Sequence, residues 1–573
     1  MLEISEAQFS GRRRLRRNQP LTSDLIRKAR RHGKAFVGSC SVPLEAFLRF
    51  IPESSREVAL SKFTASVSDR ETADRAAIAK YIAWEDKLPD SVSNEILPIA
   101  RGILRLILKD FRKHDYLYLG HGASVELITR TDGQDHYTSR TCFSGARKME
   151  HLRWIENDVT LFSQLYRSSE IISANLVVDP LARMSILTTV PKKREISRCI
   201  NIEGVLSKAM QHVIGCNLRE QFRLFGLRYG FATDLNESDR DNAYSAYLGS
   251  RYGHLATIDF SSASDSISNA LVEALFRDNG PLCTKYLMLM ESVRSTHVLV
   301  DGAPLATKKF ASMGNAFIFE LESIIFFTLT LAFELARDYP LVLSFGERHM
   351  LRRVKQILKT DQRLHVISVF GDDTLLRSTS YDASYVSTMA AFGLTVNPEK
   401  SFGSTSDFRE SCGYDFRDGQ FVREFYLKDL NITSFIRMLN FYQLNDRLVL
   451  SDEDLEFIAK FVPRILWCST ARLKGADRLF FKDAPSGYLL VNKHGYNPKV
   501  KLELGPFGKI PKPYSCPATL TLLMWATTDS STLQRPLIGC WLRRIEEQDE
   551  FIFHLAPDPV EQEISAFIRK LIK

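Results

Sequence analysis

The stretch that most constrains this chain is Val366-Ile367-Ser368-Val369-Phe370-Gly371-Asp372-Asp373-Thr374-Leu375-Leu376. Two apolar, β-prone runs flank a Gly-Asp-Asp, which predicts a tight hairpin with paired carboxylates at its tip. Adjacent carboxylates repel unless a cation compensates them, and hard divalent cations such as Mg²⁺ prefer such oxygens. An Asp-rich surface turn uses Gly and Asp as well, so three residues alone do not decide between the two.

A second acidic strand end lies upstream, where Leu255-Ala256-Thr257-Ile258-Asp259-Phe260 runs into Ser261-Ser262-Ala263-Ser264-Asp265-Ser266. Asp259 offers the third carboxylate of a two-metal site, in which paired ions activate a 3′-hydroxyl and stabilise a leaving pyrophosphate. The small residues after it leave room for a ligand beside the backbone. Asp265, six residues on, is placed to face a ribose hydroxyl; the competing reading is a capped helix start with Asp265 or a serine as N-cap. Between the two acidic strands, Ser312-Met313-Gly314-Asn315 precedes a long apolar helix expected from about Ala316 to Leu335. Such a loop can present amide donors and the Asn315 amide to a sugar or phosphate, or simply cap the helix. Earlier still, Val190-Pro191-Lys192-Lys193-Arg194-Glu195-Ile196-Ser197-Arg198 places Lys192, Lys193, Arg194 and Arg198 beside a rigid proline, as a triphosphate site or a charged surface loop. After the hairpin, Phe392 to Phe402 reads as a strand, an Asn-Pro turn and Lys400, a general acid for the leaving pyrophosphate or a solvated turn residue.

The flanks differ in texture. The first 165 residues are expected to be mostly helical, for example from Ile96 to Phe111, with Gly120-His121-Gly122-Ala123-Ser124 as an interruption. Residues 180–430 alternate short β-like runs with helices, 432–467 turn helical again, and Lys474 to Tyr514 are loop-rich, so the whole reads as a mixed α+β chain. The net charge of +8 is modest, but Arg12, Arg13, Arg14, Arg16 and Arg17 open a run in which Asp24 is the single acid before Arg31. That arm suits phosphate backbones, or a solvated tail. Nine scattered cysteines without a C-x-x-C pair point to reduced thiols and to neither zinc nor disulfides. The arginine-rich start lacks the apolar core of a signal peptide, and the run Ile324 to Phe333 is too short to span a bilayer, so a soluble chain is expected.

Each motif is weak or moderate alone; their order is specific. A basic loop, a strand with Asp-x₅-Asp, Ser-Gly-Asn before a helix, a Gly-Asp-Asp hairpin and a strand-turn-Lys follow one another as a palm-type polymerase requires. Over residues 180–430 the chain resembles the replicase subunits of single-stranded RNA bacteriophages, the leviviruses. The carrying residues are Thr257 to Ser268, Ser312 to Asn315 with Glu320-Leu321-Glu322-Ser323, Phe370 to Asp373, and Phe408-Arg409-Glu410-Ser411-Cys412-Gly413. Phe370 stands where this family usually has Tyr, which loses a hydroxyl but no metal ligand.

The resemblance implies a right hand: fingers in 1–179, including the basic arm, and in 180–250 with the nucleotide-binding loop, a palm in 251–430, and a thumb and C-terminal region in 431–573. It implies RNA-directed RNA synthesis from ribonucleoside triphosphates on template RNA, two Mg²⁺ ions with Mn²⁺ as a substitute, and initiation without a primer. It also implies host elongation factors Tu and Ts and a ribosomal protein as partners, in the cytoplasm of a bacterial host and away from membranes. Two rivals remain. A reverse transcriptase or DNA polymerase would place a bulky aromatic where Ser264 stands, and a non-catalytic RNA-binding protein leaves the aspartates unexplained. Arg348 to Arg363 look like an insertion to which the sequence assigns no role.

Overall fold

A computed structural model describes residues 42–61, 67–115, 124–125, 152–154, 158–167, 176–178, 183–193, 196–427, 429–445, 447–462, 467–468 and 479–480. The Arg12–Arg17 arm, Arg194, Gly120–Ala123 and all of Lys474–Tyr514 except a short strand, Leu479–Phe480, lie outside them. The chain is a mixture of helices and small sheets and divides into two compact units, residues 65–423 and residues 1–64 with 424–573.

In chain order, the larger unit places helices α1 (Val67–Ala83) and α2 (Leu97–Ile107) before strands β1 (Met184–Lys193) and β2 (Ile196–Ile202). Helices α3 (Val205–Tyr229) and α4 (Ser238–Tyr252) lead into β3 (Leu255–Ile258), followed by β4 (His297–Val300) and β5 (Ala303–Ala306). Helix α5 (Ile318–Asp338) and helix α6 (Glu347–Thr360) precede β6 (Ser368–Phe370) and β7 (Asp373–Arg377), and β8 (Phe408–Ser411), β9 (Tyr414–Arg417) and β10 (Gln420–Phe421) close the unit.

Helix α5 is the axis of this unit. Its apolar residues come on all sides rather than along one stripe, as expected of a helix surrounded by protein. Ile318 and every residue from Glu320 to Leu335 are buried. Phe327 on it meets the rings of Phe222, Phe225 and Phe231 at 5.1, 5.7 and 5.3 Å. The expected helix from Ala316 is therefore present, begun two residues later and extended to Asp338.

Two sheets, one antiparallel and one mixed, carry the sequence motifs. In the first, β7 lies between β3 and β6, with Leu255 opposite Arg377, Ile258 opposite Thr374, and Phe370 opposite Asp373. All four residues of β3, Leu255, Ala256, Thr257 and Ile258, are buried, which fits a run that is apolar but for one threonine. In the second, the order is β2-β1-β4-β5, with β1 antiparallel to β2 and parallel to β4. The basic segment expected as a loop is thus mostly the end of a two-stranded ribbon: Val190 pairs with Arg198 and Pro191 with Ser197, and the register shifts at Pro191/Lys193. Proline cannot donate to a ladder, so an irregularity there is its natural consequence.

In the smaller unit, helix Leu44–Phe50 packs on helix Ile432–Leu444, where the Phe47 and Phe435 rings meet edge-on at 5.0 Å. The single helical stretch expected from Ile432 to Trp467 is broken. A new helix, Asp452–Ala459, starts at Ser451, whose hydroxyl and the Asp454 carboxylate form a reciprocal cap.

Candidate active site

The β6–β7 turn is Gly371-Asp372. Gly371 takes φ +63°, the first central position that such hairpins reserve for glycine. A Cβ there would sit 3.1 Å from the Phe319 ring and 3.3 Å from Glu322 Oε1. The Gly371 amide donates to Ser323 Oγ at 2.9 Å, so α5 holds the turn from below. Asp372 occupies the tip, while Asp373 is already the first residue of β7. Asp373 Oδ2 accepts from the Cys412 amide at 3.0 Å, between β8 and β9.

Asp259 follows β3 and lies alongside the segment after the hairpin. Its carbonyl accepts from the Asn397 amide at 2.8 Å, and the Ser261 amide donates to Thr395 O at 2.8 Å. The side chain is held by Asn397 Nδ2 at 3.0 Å and Lys400 Nζ at 3.5 Å, both on Oδ2. The strand expected before the Asn-Pro turn is absent among the described residues: Phe392 and Gly393 form a turn and only Val396 makes a bridge, to Phe260. The turn after it still brings Lys400 to the carboxylate that follows β3.

The charges of these groups act on one another. Burial raises the Asp372 carboxyl above the ordinary aspartate range, and the Asp259 charge raises it further. Asp373 is pushed up to about 7 by burial and then by Asp372, against the Cys412 amide. Lys400 gives up some hydration, which lowers it, but Asp259, Glu410 and Asp372 outweigh that and hold its proton more firmly. Lys192 is held below its usual range by partial desolvation, then by Arg198 and Lys400, against Asp259 and Asp372. Lys192, Arg198 and Lys400 thus share one field with Asp259 and Asp372. Of the remaining basic residues, Lys193 is placed only as backbone in β1, and Arg194 lies outside the described residues.

Mutual repulsion between two half-buried carboxylates is what a divalent cation relieves, so Asp259 and Asp372 fit such an ion. The third aspartate is placed differently, since its Oδ2 is occupied by Cys412. Among the described residues, no three His, Cys, Asp or Glu gather closely enough to hold a metal ion.

Asp265 lies beyond the Ser262 turn, which takes φ +53°. Its carboxyl is raised to about 6 by burial, with Lys309 opposing and Glu85 reinforcing. Among the described residues it has no hydrogen-bond partner, whereas its surroundings are tightly bonded. Lys309, fully buried, donates to Glu85 Oε1 at 2.6 Å and to Tyr81 O at 2.8 Å, and lies 3.6 Å from the Tyr81 ring centre.

The Ser312–Asn315 loop turns its side chains inward. Ser312 Oγ meets Tyr81 Oη at 3.0 Å, and Asn315 Oδ1 accepts from the Phe317 amide at 3.0 Å, with both residues less than a tenth exposed. Asn315 closes a short turn ahead of α5 rather than capping it, since the N-cap is Phe317 and has no side-chain capping bond, and the Asn315 amide lies by the buried Glu203 carboxyl. Gly314, at φ +111°, lets the loop close on β2: the Asn201 amide donates to Met313 O at 2.8 Å, and a Cβ would meet Asn201 O at 2.1 Å.

Sequence reading gave no role to Glu322. This buried carboxyl accepts from Ser264 Oγ at 2.6 Å and is raised to about 8 by burial, with Asp372 adding to the rise. A signal was available, since Glu320, Glu322 and Glu334 interrupt an otherwise apolar helix. Two of them are paired, Glu320 with Arg219 at 2.7 Å and Glu334 with Arg377; Glu322 faces the Gly371-Asp372 turn instead.

Residues 155–340 and 350–445 match the family model described as RNA replicase, beta-chain. Over these residues, just under half of its length, the chain resembles that replicase family. Its relatives include the RNA-directed RNA polymerase subunit beta of Enterobacteria phage SP, 34% identical over 255 residues, or 44% of this chain and 38% of the relative. The subunit of the same name from Escherichia virus Qbeta is 36% identical over 245 residues, 42% of this chain and 34% of the relative. The RNA-directed RNA polymerase beta chain of Escherichia phage MS2 is 33% identical over 240 residues, 42% and 37% respectively. The match thus spans little more than a third of these relatives' own length. The solved RNA-dependent RNA polymerase of bacteriophage phi12 aligns over 77% of this chain and 74% of its own, at 11% identity and a TM-score of 0.38, too loose a likeness to place any residue. No helix among the described residues is long and apolar enough to cross a membrane.

Proposed function

We propose that the chain is an RNA-directed RNA polymerase that joins ribonucleoside triphosphates on a template RNA strand, as the names of its relatives suggest. The observation that carries this reading is the convergence of Asp259 and Asp372, from neighbouring β-elements, with Lys192, Arg198 and Lys400 in one field. Carboxylates and cations in such proximity suit a polyanionic substrate that arrives with its own divalent cation.

Asp259 and Asp372 would hold the ion, Mg²⁺ by preference and Mn²⁺ as a substitute, and the ions supply charge neutralisation at the attacking hydroxyl and leaving pyrophosphate. Lys192 and Arg198, at the end of the β1–β2 ribbon, bind the triphosphate oxygens. Lys400 keeps its proton under the influence of Asp259 and can deliver it to the departing pyrophosphate. Asp265 offers a carboxylate without a hydrogen-bond partner among the described residues, suited to accept from a ribose 2′-hydroxyl. Ser264, bonded to Glu322, is too small to exclude that hydroxyl, which disfavours a DNA-making enzyme. Asp373 braces the turn through the Cys412 bond to its Oδ2, which leaves Oδ1 to complete the metal site.

The same reading assigns the palm to 251–430, fingers to 1–179 and 180–250, and a thumb and C-terminal region to 431–573. Its biological task is replication of a single-stranded RNA phage genome in the host cytoplasm, initiated without a primer and assisted by host elongation factors Tu and Ts with a ribosomal protein. Incubating the full chain with RNA, labelled ribonucleotides and Mg²⁺, with and without a chelator, tests the chemistry. Chelator-sensitive extension is expected; chelator-independent labelling would remove the metal from the reading.

A further inference from the structure

Helix α6 and the segment before it take no part in the site. Met350, Val354, Ile357 and Leu358 are its buried face, packed on α2. On the opposite face Arg348, Arg352, Lys355 and Lys359 are exposed at spacings of four, three and four residues. That periodicity aligns them in a single stripe about 16 Å long. Among the described residues none of the four has an ion-pair or hydrogen-bond partner. The acid of the first turn, Glu347, is already paired with Arg105 at 2.5 Å.

The positive charge continues past the helix. Lys109, just after α2, is pushed below its usual range by partial burial, then by Lys355 and Arg228, with Arg105 adding to the effect. Phe345, 43% exposed, stands two residues before α6. The family match stops at residue 340 and resumes at 350, so the approach to this helix lies outside what the family shares. The end of α6 is remote from the Gly371-Asp372 turn: Ser323 grips Gly371, α5 runs on from there to Asp338, about 22 Å along its axis, and Tyr339 just beyond donates to Asp361 at the end of α6 at 2.8 Å.

We propose that the exposed face of α6, with Lys109 and Phe345 at its margins, is an accessory binding surface for the sugar-phosphate backbone of single-stranded RNA. Uncompensated cations in a row gain most from a polyanion, which releases counterions as it binds, and an exposed aromatic ring beside them can stack a base. The inference rests on the polymerase reading only in taking RNA as the available polyanion. A surface of this kind holds template or product away from the reaction centre without contacting the reacting nucleotide.

The test uses the full chain and a labelled, unstructured oligoribonucleotide, with affinity measured across a salt series. Combined Arg348→Ala, Arg352→Ala, Lys355→Ala and Lys359→Ala should lower the slope of log affinity against log salt by about 3. The charge-preserving pair Arg348→Lys and Arg352→Lys should leave that slope at the parent's value. An unaltered slope in the fourfold variant overturns the proposal, and so does a slope lost equally in the lysine pair. Unchanged RNA affinity with loss of an acidic protein partner overturns it in favour of a protein interface. Nucleotide incorporation on a saturating short template should match the parent in every variant. A parent chain that incorporates nothing sinks the polymerase reading and leaves the salt slopes to judge this surface separately.

Discussion

In the proposed function, Asp372 is the residue on which the chemistry turns. Asn at this position keeps the shape of the turn and removes the charge that a cation needs, so RNA synthesis should fall at least about 100-fold in a single-turnover assay. Retention of more than a tenth of parental synthesis would refute the metal-holding role. Asp265 makes a different prediction, about choice of sugar. Replacing it with Ala should shrink the ratio of ribo- to deoxyribonucleotide incorporation by about tenfold or more, because the 2′-hydroxyl loses its acceptor. The same ratio should erode with pH. The Asp265 carboxyl is raised to about 6, so its acceptor charge is present above that value and lost as pH falls through it. Between pH 7.5 and 5 the parent's preference should decline and that of Asp265→Asn should stay flat; parallel curves would reduce Asp265 to a shape-keeping role.

At the scale of elements, the site depends on α5 as much as on its own hairpin. Glu322 sits in that helix with its carboxyl raised to about 8. The folded state therefore holds the proton more tightly than an unfolded chain, where the group titrates near 4.3. Its contribution to stability is complete below the unfolded value and drains away as pH rises from there to about 8. Glu322→Gln can still accept from Ser264 and never ionises. The parent's melting temperature should fall relative to the variant's between pH 6 and pH 9, and equal pH dependence would place the Glu322 proton elsewhere. This element was half legible in sequence. The hairpin, the acidic strand end and the apolar helix follow from local pattern, because period and turn chemistry act over a few residues. That Ser323 grips Gly371, that Cys412 takes Asp373, and that Ser312 and Asn315 turn inward depends on partners far away in the chain, which no local pattern encodes. The basic segment shows the same limit, since Pro191 argued for a loop and pairing with Ile196–Ile202 made it a ribbon.

For the whole molecule, the larger unit contains every described member of the candidate site, from Lys192 to Lys400. The family match falls largely on the same stretch, and the relatives it matches extend well beyond the aligned part. Two of the sequence's own features, the Arg12–Arg17 arm and most of Lys474–Tyr514, fall outside the described residues, so their part in RNA binding stands on composition alone. The central claim is that this chain copies RNA, and template dependence tests it most directly. Full-length protein is given all four ribonucleotides, one of them labelled in turn, with a homopolymer of C or of A as template in the presence of Mg²⁺. The account predicts that the C template directs incorporation of G and the A template incorporation of U, with both reactions abolished by Asp372→Asn. Incorporation indifferent to the template, or none with any template, would contradict it.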